Sequence, residues 1–326
     1  MVTAGTRAAT LAFPMKVKVP TEGILAALWI PTDPRGRLLK RAMAAHLAWL
    51  RARGVHGVLA LGSTGEFPRF SLEERKAVLA AVAELAAPMP VIANISDIRP
   101  QAAIELGRWA RRLGLPAVAM MPPSFFPISQ ADMLEFFLHA ADAVQLPVVL
   151  YNYPEVTSNR IGLETIGAFA DRAPMAAIKQ SGGEFGYHRP LVRLGREKHF
   201  AVFTGADTRL PEAFALGVAG CIGGLVNFVP EPMVQVFNLC RRGAPGDFRR
   251  PAARIRAVGR LINRLSFPLN MACGVEARGL VPGAPKTIVS DESARLYRTI
   301  VADLRRRFRS WNLDVAARPP RPPRAT

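Results

Sequence analysis

Short apolar runs alternate with longer amphipathic segments along most of the chain. Each run has the length of a strand and is apolar throughout, which is typical of parallel strands buried on both faces. The segments between them carry apolar residues at helical spacing. The pattern predicts eight strands, at residues 24–30, 55–61, 90–94, 117–121, 146–151, 175–179, 199–204 and 220–224.

Helix-length segments connect these predicted strands. The clearest helix start is Ser71, because Glu74 follows three residues later and the two side chains can form a capping box. The predicted helices cover residues 37–53, 71–86, 100–113, 129–144, 163–171 and 208–216.

Eight such strands alternating with helices predict an α/β protein with one closed parallel barrel, the (β/α)8 or TIM-barrel fold. From Val229 onward the pattern is helical only, at 231–242, 247–266, 269–279 and 291–310. We expect these helices to form a C-terminal extension packed on the barrel. The predicted organisation is an N-terminal arm (1–21), the barrel (22–228), the helical extension (229–310) and a disordered Pro/Arg-rich tail (311–326).

Composition limits the partners and the location. The chain has 43 basic and 25 acidic residues and a net charge of +18, but its arginines are spread throughout and accompany no nucleic-acid motif. We therefore expect no nucleic-acid partner. No apolar run reaches the length of a membrane span or secretion signal, which predicts a cytoplasmic protein with no membrane partner. The three cysteines fit neither a disulfide framework nor a zinc site and are expected to be reduced.

The predicted strand at 175–179 ends on a lysine, where it meets a glycine turn. A buried lysine needs a reason, because burial penalises the ammonium form. One reason is chemical, since a desolvated neutral amine can attack a substrate carbonyl and form a Schiff base. The other is that Lys179 reaches past the strand end into solvent. The residue alone leaves both interpretations open.

The carboxyl ends of the strands meet at one mouth of such a barrel, where the chemistry takes place. The second strand ends in the turn Gly62–Glu66, whose Ser63 and Thr64 hydroxyls and Gly65 backbone suit a carboxylate, although similar turns occur in ordinary loops. An amine, a phenol and an anion-binding turn would suit imine chemistry on a 2-oxo acid. The other candidate positions at the mouth are Tyr151, Gly205, Asp207, Ile222 and Gly224.

Three motifs occur together in a familiar order and spacing. They are Gly62-Ser63-Thr64-Gly65-Glu66, Tyr151-Asn152-Tyr153-Pro154, and Lys179 with the following Ser181-Gly182-Gly183. In these motifs the chain resembles the N-acetylneuraminate lyase and dihydrodipicolinate synthase family of class I Schiff-base aldolases, over roughly residues 23–280. The resemblance implies that Lys179 forms an imine with pyruvate or a related 2-oxo acid. It also implies that Tyr151 moves the proton and that Ser63 and Thr64 hold the carboxylate.

The chain departs from this family at two places near the expected site. Val156 stands where dihydrodipicolinate synthases have an arginine for the carboxylate of the second substrate, so we expect it not to be a true synthase. Phe125 and Phe126 stand where relatives have a tyrosine pair, one of which completes a proton relay across a dimer interface. Proton transfer would then rest on Tyr151, Ser63 and water, or the reaction differs.

Two further positions concern the tail of the substrate. Asp207 stands where sialate lyases have a carboxylate for sugar hydroxyls, which favours a polyhydroxylated substrate. A helix N-cap before residues 208–216 would explain Asp207 equally well. Gly224 lies where the lyases have a hydroxyl side chain, which argues against sialate as the substrate.

Three functional hypotheses remain open. The first is an aldolase or lyase acting on pyruvate or a 2-oxo-3-deoxy sugar acid, and the second is a dehydratase of a similar acid that uses the same imine. The third is a barrel that binds a 2-oxo acid without turnover. We expect no metal and no cofactor, because the iminium supplies the polarisation that a Lewis acid would otherwise provide. We also expect a homodimer or homotetramer.

Overall fold

The computed structural model describes residues 18–243 and 248–315. Residues 1–17 of the predicted arm and residues 316–326 of the predicted tail lie outside the described part, as do residues 244–247. Within it, the predicted fold class is confirmed, because eight parallel strands form a closed barrel in which each strand pairs with the next and the eighth pairs with the first. The strands are β1 (Gly23–Ala27), β2 (Gly57–Ala60), β3 (Val91–Asn94), β4 (Ala117–Met120), β5 (Val148–Asn152), β6 (Met175–Gln180), β7 (Ala201–Thr204) and β8 (Gly220–Gly223).

Helices surround this barrel. The predicted capping box is confirmed, since Ser71 Oγ accepts from the Glu74 N–H at 3.3 Å and Glu74 Oε2 accepts from the Ser71 N–H at 2.7 Å. None of the described helices is both long and apolar enough to cross a membrane. The helices are α1 (Lys40–Arg51), α2 (Leu72–Ala86), α3 (Pro100–Arg112), α4 (Gln130–Val144), α5 (Pro154–Thr157), α6 (Leu163–Arg172), α7 (His188–Lys198), α8 (Leu210–Ala215), α9 (Pro230–Arg241), α10 (Arg249–Ile262), α11 (Leu269–Ala277) and α12 (Asp291–Ser310).

The sequence pattern did not predict α5 or α7. The α7 helix buries a narrow face that includes Leu191 and Val192. Its Gly195 is also buried, and a Cβ there would lie 2.7 Å from the Phe200 carbonyl oxygen. A glycine in a charged segment usually suggests a loop, whereas here it lets the helix approach the backbone before β7.

The helical extension differs in extent from the predicted one. The α9 helix packs against β1 and α8. Arg53, which follows α1, donates to Glu231 of α9 at 2.9 Å. The α9 helix therefore completes the ring between α8 and α1, and α10 to α12 are the added helices. At the other end, Trp311 packs on Phe308 and Asp314 accepts from Arg53 at 2.8 Å, so residues 311–315 belong to the packed structure.

Two apolar layers result from the alternation of side chains along the strands. One layer lies between the barrel and its helices and includes Leu150 and Ile178. The other fills the barrel interior. Tyr151 and Phe203 are among the largest side chains in this inner layer, and Leu25, Leu59, Ile92, Val149 and Ile222 pack with them.

Asn227, just beyond β8, fixes the closure of the barrel on the mouth side. Its side chain accepts from the Trp29 N–H at 2.9 Å and donates to the carbonyls of Ala27 and Gly224 at 2.7 and 2.9 Å. One buried amide therefore ties the end of β1 to the loop after β8. Hydrogen bonds that are removed from water in this way hold the two loops in a single arrangement.

Candidate active site

Lys179 and Tyr151 lie side by side on neighbouring strands. They are register partners in the parallel pairing of β6 with β5, and both face the barrel interior. Lys179 Nζ lies 4.0 Å from the centroid of the Tyr151 ring. Lys179 is 3% exposed and Tyr151 is 1% exposed. The interpretation in which Lys179 reaches into solvent is therefore wrong, and its amine lies in contact with a phenol inside the barrel mouth.

Ser63 joins this pair from the turn after β2. Its Oγ lies 3.0 Å from Tyr151 Oη, and either hydroxyl can donate. Thr64 is buried beside it. The mouth thus combines an amine, a phenol against that amine and a hydroxyl bonded to the phenol, which is a geometry suited to a nucleophile with a proton carrier.

The turn Gly62–Glu66, called the hydroxyl turn because it carries Ser63 and Thr64, has strained backbone at both ends. Leu61 precedes the turn with φ 57°, and Glu66 ends it with φ 58°. Both values are in the left-handed region, which is uncommon for residues with bulky side chains and persists only where surrounding contacts enforce it. Asn94 at the end of β3 supplies one such contact, since its Nδ2 donates to the Leu61 carbonyl at 2.7 Å.

Lys286, which was not among the residues predicted from the sequence, supplies the contact at the other end of the turn. Its Nζ lies 2.8 Å from Glu66 Oε1, and the two side chains are 6% and 5% exposed. Arg69 Nε lies 2.9 Å from the other oxygen of Glu66. Burial lowers the pKa of Lys286, and the Glu66 carboxylate opposes that shift.

The segment that carries Lys286 runs from α11 to α12 across the mouth side of β1. Pro282 accepts from Trp29 Nε1 at 2.7 Å, and the Ala284 N–H donates to the Thr32 carbonyl at 2.7 Å. Lys286 Nζ also lies 4.5 Å from the centroid of the Trp29 ring. The C-terminal extension thus reaches the hydroxyl turn through one buried ion pair. No local motif marks Lys286, because its partner lies 220 residues away along the chain.

Asp207 lies after β7 and bonds to the loop after β8. Its Oδ2 accepts from the Gly224 and Leu225 N–H groups at 3.0 and 3.1 Å, and Oδ1 lies 3.6 Å from Cys221 Sγ. Asp207 begins a short 3-10 helix, Asp207–Arg209. Neither this helix nor α8 has a side-chain cap, so the N-cap interpretation is wrong. Burial raises the pKa of Asp207 to about 6, opposed by these hydrogen bonds and by the positive charge of Lys179.

The remaining candidate positions are small or fully packed. Gly205 has no room for a side chain, because a Cβ there would overlap Ser181 Oγ. Gly224 has little room, since its Cβ would lie 3.0 Å from Met271 Sδ and 3.3 Å from Thr64 Oγ1. Gly65 is similarly confined, with its Cβ position 3.0 Å from the Leu28 carbonyl oxygen. Ile222 is completely buried in the inner layer.

Two cavities open at this mouth. One, of about 390 Å³, is lined by Gly205, Asp207 and Arg209 on the side of β6 to β8. The other, of about 700 Å³, is lined by Ser63, Val156 and Ser124 among others. Phe125 and Phe126 lie on the loop after β4, stacked edge to face at 4.8 Å, and are 76% and 63% exposed.

The described residues include no group of three or more histidine, cysteine, aspartate or glutamate side chains placed to hold a metal ion. His46 and His188 instead bond to the backbone, at the carbonyls of Asn227 (3.0 Å) and Phe185 (2.8 Å). Burial lowers the pKa of His46 to about 4. These two histidines serve packing in this structure.

The sequence and the structure of this chain are similar to those of a known protein family. The sequence profile of the dihydrodipicolinate synthetase family matches residues 20–302. A 4-hydroxy-tetrahydrodipicolinate synthase of Haloarcula marismortui is 27% identical over 288 residues, covering 86% of this chain and 93% of the relative. YagE, a putative 2-dehydro-3-deoxy-D-gluconate aldolase of Escherichia coli K12, is 31% identical over 212 residues, covering 64% of this chain and 70% of the relative.

Solved structures agree with this match. The crystal structure of E. coli YagE in complex with pyruvate superposes with a TM-score of 0.81 at 25% identity and covers 90% of this chain and 99% of YagE. CdNal of Clostridium difficile, solved with mannosamine, has a TM-score of 0.82 at 18% identity and covers 89% of this chain and 100% of its own. The latter likeness concerns the fold alone.

The Glu66–Lys286 pair generates a prediction. Lys286→Met leaves the Glu66 carboxylate buried with Arg69 as its remaining partner, so the free energy of unfolding should fall by about 3 kcal/mol, the lower end for breaking a buried pair. Urea unfolding measures this. The matched control is Lys198→Met, which removes an exposed pair with Asp171 and should change stability far less. Equal losses in the two variants would show that the buried pair does not anchor the turn.

Proposed function

The chain belongs to the dihydrodipicolinate synthetase family, and we propose that it acts as a class I lyase on a 2-oxo-3-deoxy sugar acid. The observation that carries the proposal is the buried contact of Lys179 with Tyr151, which is bonded in turn to Ser63. Pyruvate in the YagE crystal structure supports a 2-oxo acid as the ligand. The name of that relative supports cleavage of a deoxy sugar acid.

The reaction begins at the amine of Lys179. Its nitrogen attacks the C2 carbonyl to give a carbinolamine. The carbinolamine hydroxyl then takes the proton of Tyr151 and leaves as water, which gives an iminium and the Tyr151 phenolate. Transfer of the C4 hydroxyl proton to the Tyr151 phenolate lets the C3–C4 bond break, and its electron pair moves into the iminium to give an enamine and an aldehyde. Protonation of the enamine at C3 and hydrolysis of the imine then release pyruvate and restore Lys179.

Tyr151 is proposed to transfer the proton, and Ser63 is proposed to bind the substrate carboxylate. Tyr151 lies against the Lys179 amine and shares a hydrogen bond with Ser63, so a proton can pass between the two hydroxyls. Ser63, Thr64 and the Gly65 backbone would hold the carboxylate at the hydroxyl turn. Gly205, Asp207, Ile222 and Gly224 are assigned to the rest of the substrate.

Dehydration is the second candidate reaction. The same iminium permits loss of the C3 proton to Tyr151, and the enamine so formed expels the C4 hydroxyl, which takes that proton and leaves as water. Release of pyruvate from the substrate distinguishes the lyase from the dehydratase, and consumption of any substrate distinguishes both from a binding protein. We favour the lyase because the relative with 31% identity is named an aldolase.

Association with further copies of the chain is also proposed. Phe125 and Phe126 form an exposed aromatic pair on the mouth side, and Phe125 has φ 83°. Adjacent exposed aromatics are typical of surfaces that are covered by another molecule. A homodimer or homotetramer in which this pair is buried is the simplest assembly.

We infer a cytoplasmic location as well. Cys221, Cys240 and Cys273 are all free thiols. Unpaired cysteines are typical of a reducing compartment. Small 2-oxo acids are also metabolites of that compartment.

The imine gives the most direct test of the proposed chemistry. Pyruvate with borohydride should add one reduced adduct, mapped by peptide mass spectrometry to Lys179, because only this described lysine lies against a phenol at the mouth. Lys179→Ala should lose the adduct, and Lys198→Ala, a control at the end of α7 whose amine pairs with Asp171, should keep it. An adduct on another lysine, or none, would refute the proposal.

A second test concerns the exclusion of the synthase reaction. Val156 is uncharged and lines the larger cavity, so aspartate semialdehyde should be a poor partner for the pyruvate enamine. Loss of one charge-assisted pair costs about 2–4 kcal/mol. Val156→Arg should raise kcat/KM for that aldehyde while pyruvate trapping stays unchanged. Efficient condensation by the unaltered protein would contradict the exclusion.

A further inference from the structure

The smaller cavity carries one charged group that the proposed chemistry does not use. Arg209 lines this cavity together with Asp207, Thr208 and Asn263. The cavity begins beside the strand that carries the proposed imine, since the N–H of Gly205, which lines the cavity, donates at 2.7 Å to the carbonyl of Gln180, the residue after Lys179. A substrate tail that leaves Lys179 on this side would therefore reach Arg209.

Arg209 differs from the arginines that line the larger cavity. Those are paired, Arg69 with Glu66 at 2.9 Å and Arg75 with Asp97 at 3.0 Å, and Arg99 lies 3.5 Å from Asp97. Among the described residues, no carboxylate lies within ion-pair distance of Arg209. Arg209 is exposed at the wall of this cavity, and with no carboxylate partner among the described residues its guanidinium is available to an anion from outside.

Asp207 is close to Arg209 in sequence, but its carboxylate does not form an ion pair with the Arg209 guanidinium. Its oxygens are engaged by the N–H groups of Gly224 and Leu225 and by the Cys221 thiol. Arg209 lies instead over the Phe185 ring, with Cζ 3.5 Å from the ring centroid. Stacking of this kind orients the guanidinium and leaves its in-plane N–H groups free for a planar, two-point contact with a carboxylate.

From this geometry, and resting on the proposed function, we infer that the substrate of the lyase carries a second anionic group at its far end, which Arg209 binds. The substrate class is a 2-oxo-3-deoxy acid ending in a carboxylate, an aldarate-type diacid, rather than one ending in a hydroxymethyl group. A terminal phosphate would offer the same charge, and the test separates the two. Arg209 is then a specificity-determining residue, whereas Lys179 and Tyr151 act on any 2-oxo acid.

The test compares three six-carbon substrates that differ only at C6. They are 2-oxo-3-deoxyaldonate, its 6-phosphate and the corresponding 2-oxo-3-deoxyaldarate, and kcat/KM is measured for each. The aldarate should be preferred over the neutral-ended acid by roughly ten- to a hundredfold, the scale of a charge-assisted contact. Arg209→Ala should remove this preference and leave the neutral-ended acid unchanged, while Arg209→Lys should retain part of it.

The control variant is Arg189→Ala, which removes an arginine of α7 that is exposed like Arg209 but does not line the cavity. It should keep the preference, because the effect depends on position and not on net charge. A preference for the 6-phosphate that Arg209→Ala abolishes would overturn the carboxylate assignment and keep Arg209 as the anion site. Equal loss on all three substrates, or no loss, would overturn the role of Arg209. Absence of a borohydride adduct on Lys179 would instead show that the proposed function is wrong.

Discussion

The pairing of β5 with β6 is the constraint on which the site depends. It makes Tyr151 and Lys179 register partners, and because alternate residues face the interior, both side chains enter the same layer of the mouth. A shift of one residue would turn Lys179 toward the helices and remove the amine from the phenol. The contact is therefore set by backbone hydrogen bonds and not by the two side chains themselves.

The site also depends on the hydroxyl turn, whose conformation is stabilised by residues from other parts of the chain. Asn94 fixes the Leu61 carbonyl from β3, and Lys286 fixes Glu66 from the segment before α12. These contacts hold the left-handed residues at either end of the turn and so aim Ser63 at Tyr151. The added C-terminal helices thus contribute to the mouth of the barrel through a single residue. Their position shows how an extension far from the central strands contacts the turn that carries Ser63.

Local patterns in the sequence predicted most of the fold. They also named Lys179, Tyr151 and Ser63 as candidates, and the structure brings these three residues together. Eight apolar runs and one capping box were sufficient for the barrel and for α2, since each signal lies within a few residues. The α7 helix was missed because Gly195 resembles a loop signal until its close packing on the Phe200 carbonyl is known. The roles of Lys286 and Arg209 could not be predicted, because they depend on which distant carboxylates of the described chain lie near each side chain. The two interpretations of Lys179 and of Asp207 were likewise separable only by burial and by hydrogen-bond partners.

The central claim is that the Lys179 amine, with Tyr151 beside it, converts pyruvate into an enamine. Proton NMR of pyruvate in deuterium oxide measures this directly, because each return from enamine to iminium replaces a methyl proton with deuterium. The protein should remove the methyl signal, Lys179→Ala should not, and Tyr151→Phe should slow the loss by about a hundredfold. A methyl signal that persists with the unaltered protein, or that disappears equally fast with Lys179→Ala, would contradict the account.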